Sequence, residues 1–167
     1  MQTVTRIVAI RHGETAWNVD TRIQGHLDIP LNATGRWQAC RMAEALADEG
    51  ISAVYSSDLS RALETAEALG AVLGLSVVTD DRLRERAFGA YEALTFTEVE
   101  SRWPAEARRW TQREPEFAPD GGESLNAFYA RCVGAVHQLA EAHPGQTIAV
   151  VAHGGVMDCL YRAATRL

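Results

Sequence analysis

The sequence predicts an α/β protein built around a mostly parallel sheet, and two observations support this fold class. Short apolar runs alternate along the chain with longer segments of helical periodicity, which is the pattern of repeated βαβ units. The chain also has 167 residues and 47% hydrophobic content, enough for one substantial core but not for two. We therefore expect a single domain over residues 1–167.

Four short runs are predicted to be strands. The runs that end at Ile10 and Ala152 are continuous and apolar, as expected for strands buried on both faces of a parallel sheet. In chain order, the predicted strands are residues 3–10, 51–57, 75–79 and 147–152.

Four longer segments have apolar residues at helical spacing. Asn32 or Thr34 can cap the first of these helices, and Gly50 ends it. The predicted helices, in chain order, are residues 32–49, 57–73, 124–143 and 155–165.

Residues 82–122 depart from this alternation, because charged and aromatic residues are frequent there and prolines interrupt any long period. We interpret this stretch as a lid-like insertion with one or two short helices within residues 96–117. Trp103, Trp110 and Phe117 either form an apolar wall for a substrate or pack beneath a surface insertion.

Composition excludes several classes of protein. The net charge of −6 opposes nucleic-acid binding, because affinity for a polyanion comes mainly from excess lysine and arginine. No apolar stretch reaches the roughly 18 residues needed to span a bilayer, so no membrane association is expected. Cys40, Cys132 and Cys159 lie in apolar helical patterns and fit buried free thiols in a reducing compartment. We expect a cytoplasmic protein.

Two of the predicted strands end in similar polar sequences, RHG at the first and HGG at the last. If these strands are parallel neighbours, His12 and His153 lie at the same carboxyl edge of the sheet, where open α/β proteins bind ligands. The glycines that follow allow the backbone to approach a ligand closely. A single histidine after a strand is more often a structural residue, whereas two matched ones indicate a site.

Arg61 marks a third strand end, because it falls in the first turn of the helix predicted after ISAVYSS. A cation at this position opposes the helix dipole. The conflict is relieved by a bound anion held by the guanidinium and the free backbone amides. The alternative is an exposed arginine that reaches solvent.

Five motifs, RHGETAWN, SSDLSRALETA, RERAFGAYE, PDGGES and AHGGV, occur in an order that resembles the histidine phosphatase superfamily, also called the phosphoglycerate mutase-like family. The resemblance extends from Ile7 to about Val156. It implies a three-layer α/β/α sandwich around a mostly parallel sheet. It also implies an enzyme that acts on a small phosphorylated metabolite in a pocket at the strand ends.

The resemblance also implies roles for individual residues. His12 falls on the position that becomes phosphorylated, and Glu85 falls on the carboxylate generally taken as the proton donor. The other candidates fall on the phosphate pocket or its substrate-contacting loops: Arg11, Asn18, Gln24, Gly25, Arg61, His153 and Gly154.

These residue types suit phosphoryl transfer. A neutral imidazole is nucleophilic near pH 7, and nearby guanidinium groups should lower the pKa of His12. Arg11 and Arg61 offer planar forks for phosphoryl oxygens, and His153, if protonated, adds a further donor. This chemistry requires no metal ion or other cofactor.

A metal site is the rival interpretation of two histidines near carboxylates. His12, His153, Glu14 and Asp158 are the residues that would form it. Two arginines beside a dication would repel it, and no metal-ligand spacing of histidine or cysteine occurs. His26, His137 and His143 are interpreted as loop or surface residues without a role.

Within the family, the choice lies between hydrolysis of a phosphomonoester and a mutase reaction. A mutase needs an additional anion clamp, for which this chain offers Arg108 and Arg109, and Phe88 stands where the mutases have a tyrosine. We expect a phosphatase, with phosphoglycerate mutase and a catalytically silent phosphate-binding module as alternatives. Sugar phosphates, phosphoglycerate derivatives and α-ribazole phosphate remain open as substrates.

The predicted fold ends with the helix that follows the second histidine, whereas members of the family usually continue with another strand. Either the chain is truncated at Leu167 or the domain is minimal. A missing strand would leave a sheet edge exposed, which favours self-association as a homodimer.

Overall fold

The computed structural model describes residues 4–167 and contains one sheet of four parallel strands. The strand order is β1-β4-β2-β3. The strands are β1 (Arg6–Arg11), β2 (Ile51–Ser56), β3 (Val77–Thr79) and β4 (Thr147–Ala152). The prediction of a parallel α/β sheet is confirmed, although the predicted start of the first strand at Thr3 lies outside the described residues.

Seven α-helices accompany the sheet in the described part of the chain, together with two short 3-10 helices at Asp81–Leu83 and Gly89–Tyr91. The α-helices are α1 (Ala16–Val19), α2 (Ala33–Ala45), α3 (Ser60–Leu73), α4 (Phe96–Arg102), α5 (Pro104–Thr111), α6 (Leu125–Glu141) and α7 (Gly154–Thr165). Asn32 is the cap of α2, and its Oδ1 accepts a hydrogen bond from the amide of Gly35. The helix α3 begins later than predicted because Leu59 has an extended backbone, and Gly74 ends it in the left-handed conformation.

The helices cover both faces of the sheet, which confirms the three-layer α/β/α sandwich. One apolar cluster joins α2 and α3 to the sheet and includes Ala43, Leu69 and Val151. The other joins α6 and α7 to the opposite face and includes Phe128 and Val150. Because successive residues of β4 point to opposite faces, Val150 and Val151 enter different clusters, and both are fully buried.

The pairing of β1 with β4 brings the two histidine-containing strand ends together. Arg11 is the register partner of Ala152, and the amide of His12 donates to the carbonyl of Ala152 at 3.0 Å. His12 and His153 therefore follow directly paired residues at the carboxyl edge of the sheet, as the matched strand endings predict.

Residues 82–122 form a small apolar cluster of their own. Tyr91, Val99, Ala107 and Phe117 are buried in it, and Trp103 and Trp110 pack against it together with Ile23, Phe88 and Leu94. The two short helices expected within residues 96–117 are α4 and α5. The aromatic residues Trp103, Trp110 and Phe117 are thus packing residues of this cluster, and whether the segment acts as a lid stays a prediction.

The cysteines are all free thiols. Cys132 and Cys159 are buried as expected, but Cys40 is exposed, because it lies on the outer face of α2 away from the sheet. No helix within residues 4–167 is long and apolar enough to cross a membrane. The strand β1 forms one edge of the sheet, and self-association there stays a prediction.

Candidate functional site

A cavity of about 190 Å³ opens at the carboxyl ends of β1, β2 and β4. It is lined by Arg11, His12, Asn18, Ile23, Gln24, Gly25, Arg61, Glu85, Phe88 and Gly154. Every site residue predicted from the sequence lies on this wall except His153, which lies directly behind His12. The fold thus gathers residues from four of the five motifs into one pocket.

His12 is held in a defined tautomer by the backbone. Its Nδ1 lies 2.6 Å from the carbonyl oxygen of Gly13, and since a carbonyl only accepts, Nδ1 carries the proton. This leaves the lone pair on Nε2. The turn is tight: a Cβ at Gly13 would stand 2.4 Å from the carbonyl oxygen of Gly35, so only glycine allows α2 to approach it.

The imidazole of His12 is neutral over most of the pH range. Burial lowers its pKa from 6.5 to about 4, with smaller contributions from the charges of Arg61 and Arg11, while the hydrogen bond to Gly13 opposes the shift. The sequence predicts this direction from the arginines, but desolvation is the larger cause. A neutral ring with an available Nε2 is a nucleophile.

His153 lies behind His12 and is fully buried. The two rings meet edge to face, with centroids 5.2 Å apart and an interplanar angle of 61°. Burial, followed by the charge of Arg61, holds the pKa of His153 well below its usual value. His153 is therefore neutral, and the protonated form considered from the sequence is not favoured in the free protein.

A serine sets the tautomer of His153. The Oγ of Ser57 lies 2.8 Å from Nε2 of His153 and also accepts the amide of Leu59. The hydroxyl proton of Ser57 is then available to donate to Nε2 of His153, which must be unprotonated to accept it. We therefore assign the ring proton of His153 to Nδ1. Within residues 4–167, this Nδ1 is a buried polar atom without a hydrogen-bond partner.

Arg61 is almost completely buried at the start of α3. Its Nη1 donates to the carbonyl of Leu27 at 2.7 Å, and its Nη2 donates to the carbonyl of Gly25 at 2.8 Å. The guanidinium thus fixes the loop that forms one wall of the cavity. Its Nε has no partner among the described residues, which leaves a buried donor available for a ligand.

Two amide side chains present donors to the cavity. Asn18 Oδ1 accepts from the amide of Thr15 at 2.9 Å, and Gln24 Oε1 accepts from Thr15 Oγ1 at 2.8 Å. Because both amide oxygens are occupied by the fully buried Thr15, the amino groups of Asn18 and Gln24 remain free. Together with Arg11, they give the wall an excess of hydrogen-bond donors, as an anion requires.

Glu85 supplies the carboxyl group of the cavity. Its Oε2 accepts the amide of Gly155 at 3.0 Å, and its Oε1 accepts the amide of Arg86 at 2.9 Å. The carbonyl of Glu85 lies 2.8 Å from Nε2 of His26. The side chain is thereby held against the start of α7, in the cavity that it shares with His12.

The carboxylates of the rival metal interpretation do not join the histidines. Asn32 donates to Glu14, and Asp158 is paired with Arg113 and Arg162. The described residues contain no group of three or more histidine, cysteine, aspartate or glutamate side chains that could hold a metal ion.

The two arginines offered for a mutase clamp also lie elsewhere. Arg108 and Arg109 are exposed on α5, outside the residues that line the cavity, and Arg109 pairs with Glu114.

Sequence reasoning missed several contributors to the site. Phe88 and Ile23 form its apolar wall, and His26 was left without a role. Ser57 had a usable signal, since it follows strand β2 as His12 follows β1. Nothing in the local sequence around His26 indicates its contact with Glu85.

Comparisons with known proteins agree with this geometry. The model of the histidine phosphatase superfamily (branch 1) matches residues 7–167. The chain is 47% identical over 161 residues to phosphoglycerate mutase-like protein 4 of Arabidopsis thaliana, covering 95% of the chain and 70% of the relative. It is 38% identical over 166 residues to a metal-independent phosphoserine phosphatase of the same plant, covering 98% of the chain and 70% of the relative.

A solved structure supports the same relationship. The mycobacterial glucosyl-3-phosphoglycerate phosphatase in complex with VO3 superposes with a TM-score of 0.87 at 38% identity, covering 97% of this chain and 81% of that one. The motif order, the parallel sheet and these matches over nearly the whole chain lead to one conclusion. The chain belongs to branch 1 of the histidine phosphatase superfamily, among relatives that include phosphatases.

Proposed function

We propose that this protein is a metal-independent phosphomonoesterase that transfers the phosphoryl group of a small phosphorylated metabolite to His12 and then to water. The observation that supports this most directly is the pair of unpartnered polar atoms beside His12. Within residues 4–167, Arg61 Nε and His153 Nδ1 are the buried side-chain nitrogen or oxygen atoms that lack a partner. Both require an acceptor, and phosphoryl oxygens are acceptors.

In the first step, the lone pair of His12 Nε2 attacks phosphorus, and the bond to the ester oxygen breaks. Arg11, Arg61 and the Nδ1–H of His153 stabilise the charge on the phosphoryl oxygens. Glu85, in its protonated form, gives its proton to the departing oxygen. The products are an alcohol, a phosphorylated His12 and a Glu85 carboxylate.

In the second step, water attacks the phosphorylated imidazole. The Glu85 carboxylate accepts a proton from this water, the phosphorus–nitrogen bond breaks, and the electron pair returns to His12 Nε2. Inorganic phosphate leaves and Glu85 is protonated again, so the cycle balances. The neutral state of His12 in the free protein suits both steps, because the ring starts and ends with an open Nε2.

Hydrolysis is favoured over a mutase reaction by the charges that line the cavity. Of the described residues on its wall, the basic ones are Arg11, His12 and Arg61, and all three are needed for one phosphoryl group. A mutase must also hold the anionic remainder of its substrate. With Arg108 and Arg109 outside the cavity, the described residues that line it form no second clamp.

The cavity of about 190 Å³ has room for the phosphoryl group and the adjoining part of a phosphomonoester. The relatives include phosphatases for phosphoserine and for glucosyl-3-phosphoglycerate, both of which are alkyl phosphates. Phe88 and Ile23 offer an apolar surface to the alcohol portion.

The experiment is a phosphate-release assay with p-nitrophenyl phosphate, phosphoserine, 3-phosphoglycerate and glycerol 3-phosphate, with and without EDTA. We expect turnover that a chelator does not change, and an acid-labile phosphoprotein after a rapid acid quench. His12→Ala should abolish both signals, whereas His137→Ala, at an exposed histidine of α6, should leave them unchanged.

Other outcomes contradict the proposal. Loss of activity on chelation would indicate metal-dependent chemistry. Thermal stabilisation by inorganic phosphate without any product would indicate a silent binding module. Interconversion of 2-phosphoglycerate and 3-phosphoglycerate faster than phosphate release, after priming with 2,3-bisphosphoglycerate, would indicate a mutase.

A further inference from the structure

We propose that Arg131 and Glu123, which do not line the cavity, are positioning residues that hold Glu85 in place for proton transfer. This inference rests on the proposed role of Glu85 as proton donor. Arg131 lies on α6 of the main sandwich, and Glu123 lies two residues before α6 begins. Glu85 lies on an irregular segment that has no helix or strand of its own.

The guanidinium of Arg131 uses its full set of donors. Its Nη1 donates to the carbonyls of Arg82 at 2.8 Å and Arg84 at 3.0 Å, and its Nη2 donates to the carbonyl of Glu85 at 3.1 Å. The remaining Nε and Nη2 hydrogens form a fork to Glu123, at 2.8 and 2.7 Å. Three carbonyls around Glu85 are thus fixed by one planar group.

Glu123 binds the same segment, and we call Arg131 and Glu123 together the Glu85 clamp. Its Oε2 also accepts the amide of Ala87 at 2.8 Å, and its backbone carbonyl accepts Nε of Arg86 at 3.0 Å. The backbone amide of Glu123 in turn donates to the carbonyl of Ala87. Residues 84–87 are therefore bound at successive positions, and Glu85 lies in the middle of the bound stretch.

The ion pair between Arg131 and Glu123 is largely shielded from solvent, so it can act as a rigid support. Both side chains retain only 21% of their accessible surface, and the Arg131 guanidinium also lies over the ring of Phe128 at 5.3 Å. Burial raises the pKa of Glu123, but the hydrogen bonds from Arg131 and Ala87 outweigh this and lower it overall. Glu123 is therefore a charged partner, and a lysine at position 131 could not reproduce the five hydrogen bonds.

The role of the clamp follows from what Glu85 must do. A general acid works only within hydrogen-bond reach of the atom that it protonates, so a small displacement of its backbone reduces the rate. The loss should depend on the leaving group, because p-nitrophenolate departs without a proton whereas an alkoxide needs one. A general loss of folding would reduce both rates equally.

The experiment compares Arg131→Lys, Glu123→Gln and Glu85→Gln on p-nitrophenyl phosphate and on the alkyl phosphate that the wild type hydrolyses fastest. We expect each variant to lose kcat/KM, which reports the steps up to phosphorylation of His12, by about 10-fold or more on the alkyl phosphate, within the range of general acid catalysis, and much less on p-nitrophenyl phosphate. On the Glu85→Gln background, Arg131→Lys should cause no further loss, because residues that act through one step are not additive.

Controls separate this inference from the proposed function. Arg41→Lys makes the same replacement in an exposed ion pair with Glu44 on α2 and should change neither rate. Thermal unfolding shows whether each variant is folded. If Arg131→Lys does not fold, the test of the inference rests on Glu123→Gln. Failure of the wild type to hydrolyse any alkyl phosphate overturns the proposed function before a variant is measured.

Two results would overturn the inference while leaving the proposed function intact. One is an equal loss of kcat/KM on both substrates, which would make the clamp a structural element only. The other is unchanged alkyl phosphate hydrolysis in both clamp variants alongside a large loss in Glu85→Gln.

Discussion

Gly155, at the start of α7, lies in close contact with the carboxyl group of Glu85. The amide of Gly155 donates to Oε2 of Glu85 at 3.0 Å, and a Cβ at position 155 would stand 2.2 Å from Oε1 of the same carboxyl group. No side-chain carbon tolerates such an approach. The second glycine of AHGGV is therefore required by the carboxyl group rather than by its own backbone conformation.

Replacing this glycine should displace the proton donor. In Gly155→Ala, the new methyl group pushes the Glu85 carboxyl out of its position, so we expect kcat/KM on alkyl phosphates, which reports the steps up to phosphorylation of His12, to fall by about 10²-fold. Hydrolysis of p-nitrophenyl phosphate should fall less. The measurement is steady-state hydrolysis of both substrates at one pH.

The matched control is Gly134→Ala on α6, where no atom of residues 4–167 beyond the adjoining backbone of the helix lies within 4 Å of an added Cβ. This substitution should leave the rates unchanged and stabilise the helix by up to about 1 kcal/mol. If Gly155→Ala retains wild-type activity on alkyl phosphates, Glu85 does not act from the position observed here.

The neutral state of His12 predicts how the free protein titrates. Because burial lowers the pKa of His12 to about 4, its ring should remain unprotonated at pH 5 to 6. We expect the NMR signals of His12, assigned by comparison with His12→Gln, to titrate near pH 4. A midpoint near 6.5 would show that the ring is more hydrated than its surroundings indicate.

The same shift predicts a loss of stability in acid. The pKa of His12 is lower in the folded protein than in the unfolded chain, so the unfolded chain binds more protons between about pH 6.5 and 4. The stabilisation is fully present above pH 6.5 and is lost as the pH falls through about 4, by an amount on the order of 3 kcal/mol.

Urea unfolding of the wild type and of His12→Gln at pH 7 and pH 4.5 measures this contribution. The difference in unfolding free energy between the two pH values should be smaller in the variant. Groups other than His12 titrate in both proteins. If the difference in unfolding free energy between the two pH values is equal in both, it comes from those groups and the predicted contribution of His12 is contradicted.

The layers of the fold were predictable because their signals are local. The apolar run of β4 and the stripes of α3 and α6 report burial on their own, whatever the rest of the chain does. The similar run of β1 predicted a strand buried on both faces, which is wrong, because β1 lies at the sheet edge and only Ile10 in it is buried. The short helix α1 was not predicted, since four residues are too few for a periodic pattern, although Thr15 and Asn18 form a capping box there. The start of α3 was predicted too early, because the extended backbone of Leu59 after β2 has no local signal in the sequence.

The residues of the site also divide into those that local signals predicted and those that only tertiary contacts bring to the site. His12, Arg61 and His153 follow predicted strands, so the topology of a parallel sheet was enough to bring them together. Arg131 and His26 reach Glu85 through tertiary contacts, with partners 46 and 59 positions away in the chain. No local pattern encodes such contacts. The neutral state of His153 depends on its burial, which the sequence did not show.

Ser57 offers the last test, because it determines which nitrogen of His153 carries the proton. Ser57→Ala removes the partner of Nε2 and leaves the ring free to place its proton on either nitrogen. With Nδ1–H no longer favoured, the phosphoryl group loses a donor, and we expect kcat/KM to fall by about 10-fold or more. The buried Nε2 is also left without its partner, which costs about 1–3 kcal/mol in unfolding free energy. Ser52→Ala, at the exposed start of β2, removes a hydroxyl of the same kind and should change neither quantity. The ¹⁵N chemical shifts of His153 measure the tautomer directly, and an unchanged Nδ1–H signal in Ser57→Ala would show that another contact fixes the ring.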